Sequence, residues 1–208
     1  LESMPTNAGD YKVVFSVEET TNYAGLSKEI NFTIDRIVVA VPKAKTFTYD
    51  GQVKQFLEST NEYTVSITNG TDAKVYEVVL SLKDKDNYTW GETSEDQTLQ
   101  FVINQAENEF TTEPSLSKVK WTYKDVVTVT NGQSLFGDVV VKYYKGETEL
   151  SEMPTNAGDY KVVFSVAETT NYAGLSKEIN FTIERIVVAV PKAKTFTYDG
   201  QVKQFLEE

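Results

Sequence analysis

MPTNAGDYKVVFSV runs from Met4 to Val17 and returns, letter for letter, from Met153 to Val166. Within it Tyr11, Val13, Phe15 and Val17 alternate with Lys12, Val14 and Ser16. That period of two places one face of a strand against a core. The same alternation recurs in Ile30, Phe32 and Ile34, and in Leu99, Phe101 and Ile103. β-branched and aromatic residues fill these runs, and Asn, Gly, Asp and Pro separate them. No stretch of ten or more residues carries a convincing helical period. The expected fold class is therefore all-β, built from short strands with frequent turns.

The repeat extends beyond the quoted phrase. Residues 1–58 and 150–207 align without a gap at an offset of 149, differing only at Glu2/Ser151, Ser3/Glu152, Glu18/Ala167 and Asp35/Glu184. A weaker echo lies inside that unit: TDAKVYEVVLSL from Thr71 follows the pattern of TNAGDYKVVFSV from Thr6. Each version leads to an Asn-Tyr pair, at Asn22-Tyr23, Asn87-Tyr88 and Asn171-Tyr172. The openings of the modules also correspond, FTYDG at 47–51 and 196–200 against WTYKD at 121–125. Self-similarity at a fixed period marks array proteins, and this period is too long for a solenoid turn, so it predicts beads with separate cores. The expected division is 1–37, the C-terminal part of a B-type module; 38–105, an A-type module; 106–186, a B-type module; and 187–208, the N-terminal part of a second A. Boundaries near 58 and 149 are a competing frame. Residue 1 falls inside a repeated phrase, so the chain is expected to be an excerpt of a longer one.

Composition narrows the chemistry. The chain has 31 Asp+Glu against 20 Lys+Arg, a net charge of −11, and neither histidine nor cysteine. Thiol nucleophiles, disulfides, Cys/His zinc sites and imidazole acid–base catalysis are excluded. The negative charge disfavours nucleic acid and anionic membrane as partners. No apolar run approaches the length that spans a bilayer. No Walker loop, Rossmann glycine pattern or nucleophile elbow appears, and the expectation is a non-enzyme without a cofactor or bound metal.

AGDY sets a small residue and a turn just before a Tyr that opens a strand. This pattern predicts a tyrosine corner at Tyr11, Tyr76 and Tyr160, with the hydroxyl bonding back to the backbone upstream. Taken with the FTYDG entries, the Asn-Tyr turns and the Phe-x-Ile exits, the whole chain resembles the tandem β-modules of large bacterial surface proteins, the YDG and MBG types. Ala73-Lys74-Val75 in place of Ala-Gly-Asp, and Lys124-Asp125 in place of Asp-Gly, depart from that pattern at turns. The resemblance implies tandem small Ig-like β-sandwich modules in an elongated array, with β-grasp-like modules as the alternative. It implies an extracellular, cell-surface location, anchored through a region outside this chain. It implies a stalk or adhesive role in an adhesin, with neighbouring modules of the same chain as partners. Glycan or host protein would be a further partner if the repeats bind ligand themselves.

Three constellations remain. Some bacterial surface modules carry a Lys–Asn isopeptide bond, for which Lys43 or Lys45 with Asn104 is the candidate set. KDKDN, with Asp84, Asp86 and Asn87, has the look of a calcium loop but lacks the Gly and distal Glu of an EF-hand, so an acidic turn is the plainer reading. Trp90, Trp121, Tyr88, Tyr143 and Tyr144 could stack on sugars or fill cores. Asn69-Gly70 and Asn131-Gly132 are read as turns.

Overall fold

A computed structural model describes residues 4–203; the outermost residues of the first and last predicted segments, 1–3 and 204–208, lie outside the described residues. Every regular element among them is a β-strand. A β-grasp needs a helix, and none is present among the described residues. The chain divides into two compact units, one of residues 1–107 with 168–173, the other of 108–167 with 174–208.

The first unit contains β1 (Gly9–Val17), β2 (Leu26–Ile34), β3 (Ile37–Val38), β4 (Thr46–Thr48), β5 (Lys54–Gln55), β6 (Tyr63–Val65), β7 (Asn69–Gly70), β8 (Lys74–Leu82), β9 (Tyr88–Thr89) and β10 (Gln97–Asn104). Its main sheet has the order β4-β10-β8-β6. The β4–β10 pairing is parallel, with Phe47 opposite Ile103, and the other pairings are antiparallel. The alternation read from sequence at Leu99, Phe101 and Ile103 is the burial pattern of β10, and β8 alternates in the same way: Val78, Leu80 and Leu82 are buried, and Glu77 is exposed. These three residues pack with Phe56, Trp90, Phe101 and Ile103 into one core. Phe56 sits at its centre, with its ring 4.9 Å from Phe101 and 5.0 Å from Tyr76. Asn69-Gly70, expected as a turn, forms β7 and pairs with β5. The reason is steric: Gly70 lies under the Tyr76 ring, where a Cβ would come within 2.5 Å.

The second unit contains β11 (Phe110–Thr112), β12 (Ser115–Leu116), β13 (Lys120–Thr122), β14 (Val129–Thr130), β15 (Gln133–Ser134), β16 (Val140–Lys145), β17 (Thr148–Leu150), β18 (Gly158–Val166) and β19 (Leu175–Glu184). Its five-stranded sheet runs β13-β19-β18-β16-β17, again with one parallel edge, β13 on β19. Trp121 takes the place of Phe47 opposite the last strand, and its ring stacks 4.9 Å from Phe181. Trp121, Tyr160, Val162, Phe164, Phe181 and Ile183 form the core. At the departure from FTYDG the left-handed residue comes one position earlier, with Asp125 N–H donating to Thr122 O and Lys124 held at φ 75°. In the first unit the same region turns at Gly51, φ 78°. A left-handed lysine costs about 1–2 kcal/mol that glycine avoids.

The duplicated phrase has two fates. In β18, Phe164 is fully buried and Val166 is 3% exposed; in β1, the identical Phe15 and Val17 are 55% and 61% exposed. The hairpin pairing is unchanged, with Gly9 opposite Ile34 through Val17 opposite Leu26, as Gly158 to Val166 lie opposite Ile183 to Leu175. The difference is what flanks it. β16 and β13 extend the β18–β19 pair on its two sides and Trp121 stacks on its face, whereas β1 and β2 form a two-stranded sheet.

Candidate functional site: tyrosine corners and an asparagine clasp

Each phrase before a long strand closes on itself in the same way. Tyr11 OH donates to Asn7 O, Tyr76 OH to Asp72 O, and Tyr160 OH to Asn156 O, each at 2.9 Å and each four residues back. The ring therefore lies over the turn and fixes the residue that accepts the bond. Tyr160 is buried and stacks on Phe181, so its hydroxyl is the most shielded of the three.

The residue fixed by the corner is also the receptor of a second interaction, which occurs twice within the first unit. Asn87 Oδ1 accepts the Ala8 backbone N–H at 2.7 Å, while its Nδ2 donates to Asn7 Oδ1 at 3.3 Å. Asn171 Oδ1 accepts the Ala73 N–H at 2.8 Å, while its Nδ2 donates to Asp72 Oδ1 at 3.1 Å. One amide thus reads two consecutive residues of the phrase, accepting from a main chain and donating to a side chain. The Asn side-chain amide carries both functions, the acceptor on its oxygen and the donor on its nitrogen. The backbone beside each clasp repeats as well. Ile37 N–H donates to Asn87 O, and Ala106 N–H to Asn171 O, both at 2.9 Å. Ile37 and Val38 pair in parallel with Tyr88 and Thr89, and Ala106 bridges Tyr172 in parallel. A long side chain just before each strand caps the turn: Arg36 Nε donates to Asp86 O at 3.1 Å, and Gln105 Nε2 to Thr169 O at 2.6 Å.

The two turns that present Asn are built differently. In the first, Asp84 Oδ1 accepts the N–H groups of Asp86 and Asn87, and Oδ2 accepts from Asn87 Nδ2 at 2.7 Å. These bonds, that from the Asn87 side chain foremost, hold the Asp84 carboxyl below the usual carboxylate range. The carboxylate of the KDKDN stretch is engaged in orienting Asn87, and among the described residues no group of three or more acidic side chains is placed to hold a metal ion. In the second, Thr169 Oγ1 accepts the N–H groups of Asn171 and Tyr172. The Tyr172 ring meets Tyr49 edge-on at 5.4 Å, and partial burial with the neighbouring Tyr49 pushes its phenol pKa up.

The remaining candidates are placed as follows. Lys45 O accepts the Val102 N–H at 3.3 Å just ahead of β4, and Asn104 lies opposite Thr48. Lys43, Lys45 and Asn104 are all exposed. Trp90 and Trp121 are core residues, and Tyr143 is partly buried, which raises its pKa. Tyr88 and Tyr144 are half-buried. Asn31 and Asn180, each opening an Asn-Phe-Thr stretch that matches the glycosylation sequon, sit within strands, in β2 and β19. No helix among the described residues is long and apolar enough to cross a membrane. Sequence reasoning found the Asn-Tyr pairs as turns but missed the clasp. No protein-family model matches the chain, and no curated protein matches it.

Proposed function

We propose that this chain is a non-catalytic stalk or spacer region of a bacterial surface adhesin, an elongated array of small Ig-like β-modules that holds a distal binding domain away from the cell. The observation that carries the reading is the recurrence of one clasp, with the same donors and acceptors, at Asn87–Ala8 and Asn171–Ala73. A joint used twice serves a structure that gains length by repetition. Specific hydrogen bonds at each joint would restrain bending in a way that a Gly/Ser linker does not. The parts for further joints are in place. Asn22-Tyr23 sits in a turn closed by Thr20 N–H to Tyr23 O at 2.9 Å, matching Thr169 N–H to Tyr172 O at 3.0 Å. Asn156-Ala157 follows the sequence and the corner geometry of Asn7-Ala8.

In this reading the module frame is 38–105 and 106–186, flanked by parts of further modules, and the protein is extracellular and anchored by another region. The resemblance to YDG- and MBG-type modules supports the same conclusion. A multivalent glycan- or host-protein-binding array is the competing function. It would draw on exposed aromatic platforms, and the two tryptophans lie in cores instead. Glycan and matrix-protein arrays probed with the isolated chain test the choice. The stalk reading expects no binder; a saturable ligand that survives competition with unrelated acidic protein would replace it.

A further inference from the structure

In an Asn-Gly pair the asparagine side chain and the next backbone nitrogen can react, because glycine has no Cβ to keep them apart. The chain has two such pairs, Asn69-Gly70 and Asn131-Gly132, and the fold treats them oppositely. Asn69-Gly70 is β7, with Gln55 opposite Asn69 and Lys54 opposite Gly70. Gly70 is buried under the Tyr76 ring, and Asn69 Nδ2 donates to Thr68 Oγ1 at 3.1 Å. In a strand the N–H lies in the plane of the sheet and the side chain stands out of it. The Gly70 nitrogen therefore does not face the Asn69 side-chain carbonyl.

Asn131-Gly132 links β14 to β15, outside any strand, and Asn131 is exposed. Gly132 sits at φ 77°, and a Cβ there would come within 2.5 Å of Thr112 O and 2.8 Å of Pro114 N. Close approach to the main chain holds this position to glycine. The packing of the link thus keeps the reactive neighbour beside Asn131. An Asp-Gly pair closes the same ring only as the neutral acid, and the two such pairs here are bonded as carboxylates. Lys54 Nζ lies 2.5 Å from Asp50, and Gln52 N–H donates to it at 2.9 Å. Lys203 and Gln201 N–H hold Asp199 in the same way. These bonds, the lysine's foremost, keep both carboxyls below the usual carboxylate range.

We propose that Asn131 is a site of spontaneous deamidation, and that the fold shields Asn69 from the same reaction. The Gly132 nitrogen attacks Asn131 Cγ, its proton passes to the departing amide, and ammonia leaves as a succinimide closes. Water then opens the ring. Opening at the side-chain carbonyl gives aspartate in an ordinary main chain. Opening at the main-chain carbonyl gives isoaspartate, whose backbone runs through the former side chain and is one carbon longer. Water is consumed and ammonia released, with no oxidant or reductant. Either product makes the chain one charge more negative than its present −11. Isoaspartate also displaces Gly132 against the fully buried Pro114, which loosens β15 from β11. The inference is independent of the stalk reading.

Peptide mapping of the full chain, incubated in mildly alkaline buffer both folded and in denaturant, tests it. Tryptic peptide 125–142 carries Asn131, and 55–74 carries Asn69. In the folded chain the first should convert to a pair of acid isomers, one of them a methyl acceptor for isoaspartyl methyltransferase. The second reacts only through local opening of β7, so its conversion should be at least about tenfold slower. In denaturant the two rates should converge. Asn131→Gln, whose longer side chain has a larger ring to close, should abolish the methyl acceptor in 125–142. Hydrogen exchange at Gln133 and Ser134 should quicken in the purified isoaspartyl form. A folded chain that keeps the Asn131 amide while the denatured chain loses it overturns the proposal. Equal conversion at Asn69 in the folded chain overturns the shielding, and unchanged exchange at Gln133 and Ser134 overturns the effect on β15.

Discussion

Asn171 grips Ala73 as Asn87 grips Ala8: in each pair an amide oxygen takes a backbone N–H at 2.7–2.8 Å, and the amide nitrogen takes the side chain one residue earlier. In both cases that earlier residue also gives its carbonyl to a corner tyrosine. Corner and clasp are therefore one device, in which the tyrosine holds the receptor and the asparagine uses it.

Replacing Asn171 by Ala removes both bonds and should cost about 1–2 kcal/mol. Asn171→Asp should be worse, because a carboxylate cannot donate to Asp72 and faces it as a like charge. Denaturant unfolding of the two variants orders them, and hydrogen exchange at Ala73 locates the loss. Unchanged Ala73 protection in Asn171→Ala would remove the clasp from the account.

Tyr160→Phe keeps the ring and deletes only the hydroxyl. It should lose about 1 kcal/mol, more if Asn156 O is left without another partner. Tyr11→Phe should cost less, since Tyr11 is only half-buried and water can replace the bond. Paired denaturation curves check the order.

Gly70→Ala drives a methyl into the Tyr76 ring, which is itself packed on Phe56. The ring has little room to give, so about 1–3 kcal/mol should be lost, as for other overpacked sites. Combining it with Tyr76→Ala should recover part of that loss, and a double-mutant cycle measures the coupling.

Asp84 titrates below the usual carboxylate range because the folded turn bonds its ionised form. A depressed folded pKa contributes stability above the unfolded pKa, and that contribution disappears as pH falls through the folded value. The Asp86 and Asn87 amide resonances should therefore shift on acidification below the ordinary aspartate range. In Asp84→Asn the acid-dependent step at these amides should be absent.

Much of the fold was legible because period-two alternation is a local signal. Leu99, Phe101 and Ile103 could be assigned to one face from residues 97–104 alone. The corners were legible for the same reason, since donor and acceptor lie four residues apart. The clasp was not, because Asn87 and Ala8 are 79 residues apart, and Asn171 and Ala73 are 98 apart. An Asn in a turn has a sufficient local explanation, and nothing nearby hints at a distant partner. Burial of the duplicated phrase was equally hidden: Phe15 and Phe164 have the same neighbours in sequence and opposite exposure. Asn69-Gly70 misled because the dipeptide favours turns, while the Tyr76 ring required a residue without Cβ in a strand.

The central proposal is that repeated clasps would make a stiff, extended array. Small-angle X-ray scattering at high dilution, on wild type and on Asn171→Ala, tests it most directly. A compact globule of this length has a radius of gyration of about 17 Å. The account predicts a clearly larger value for the wild type, with a profile that fits one extended shape, and a broader distribution of shapes for Asn171→Ala. A wild-type value near the globular one, or identical profiles for the two proteins, would contradict it.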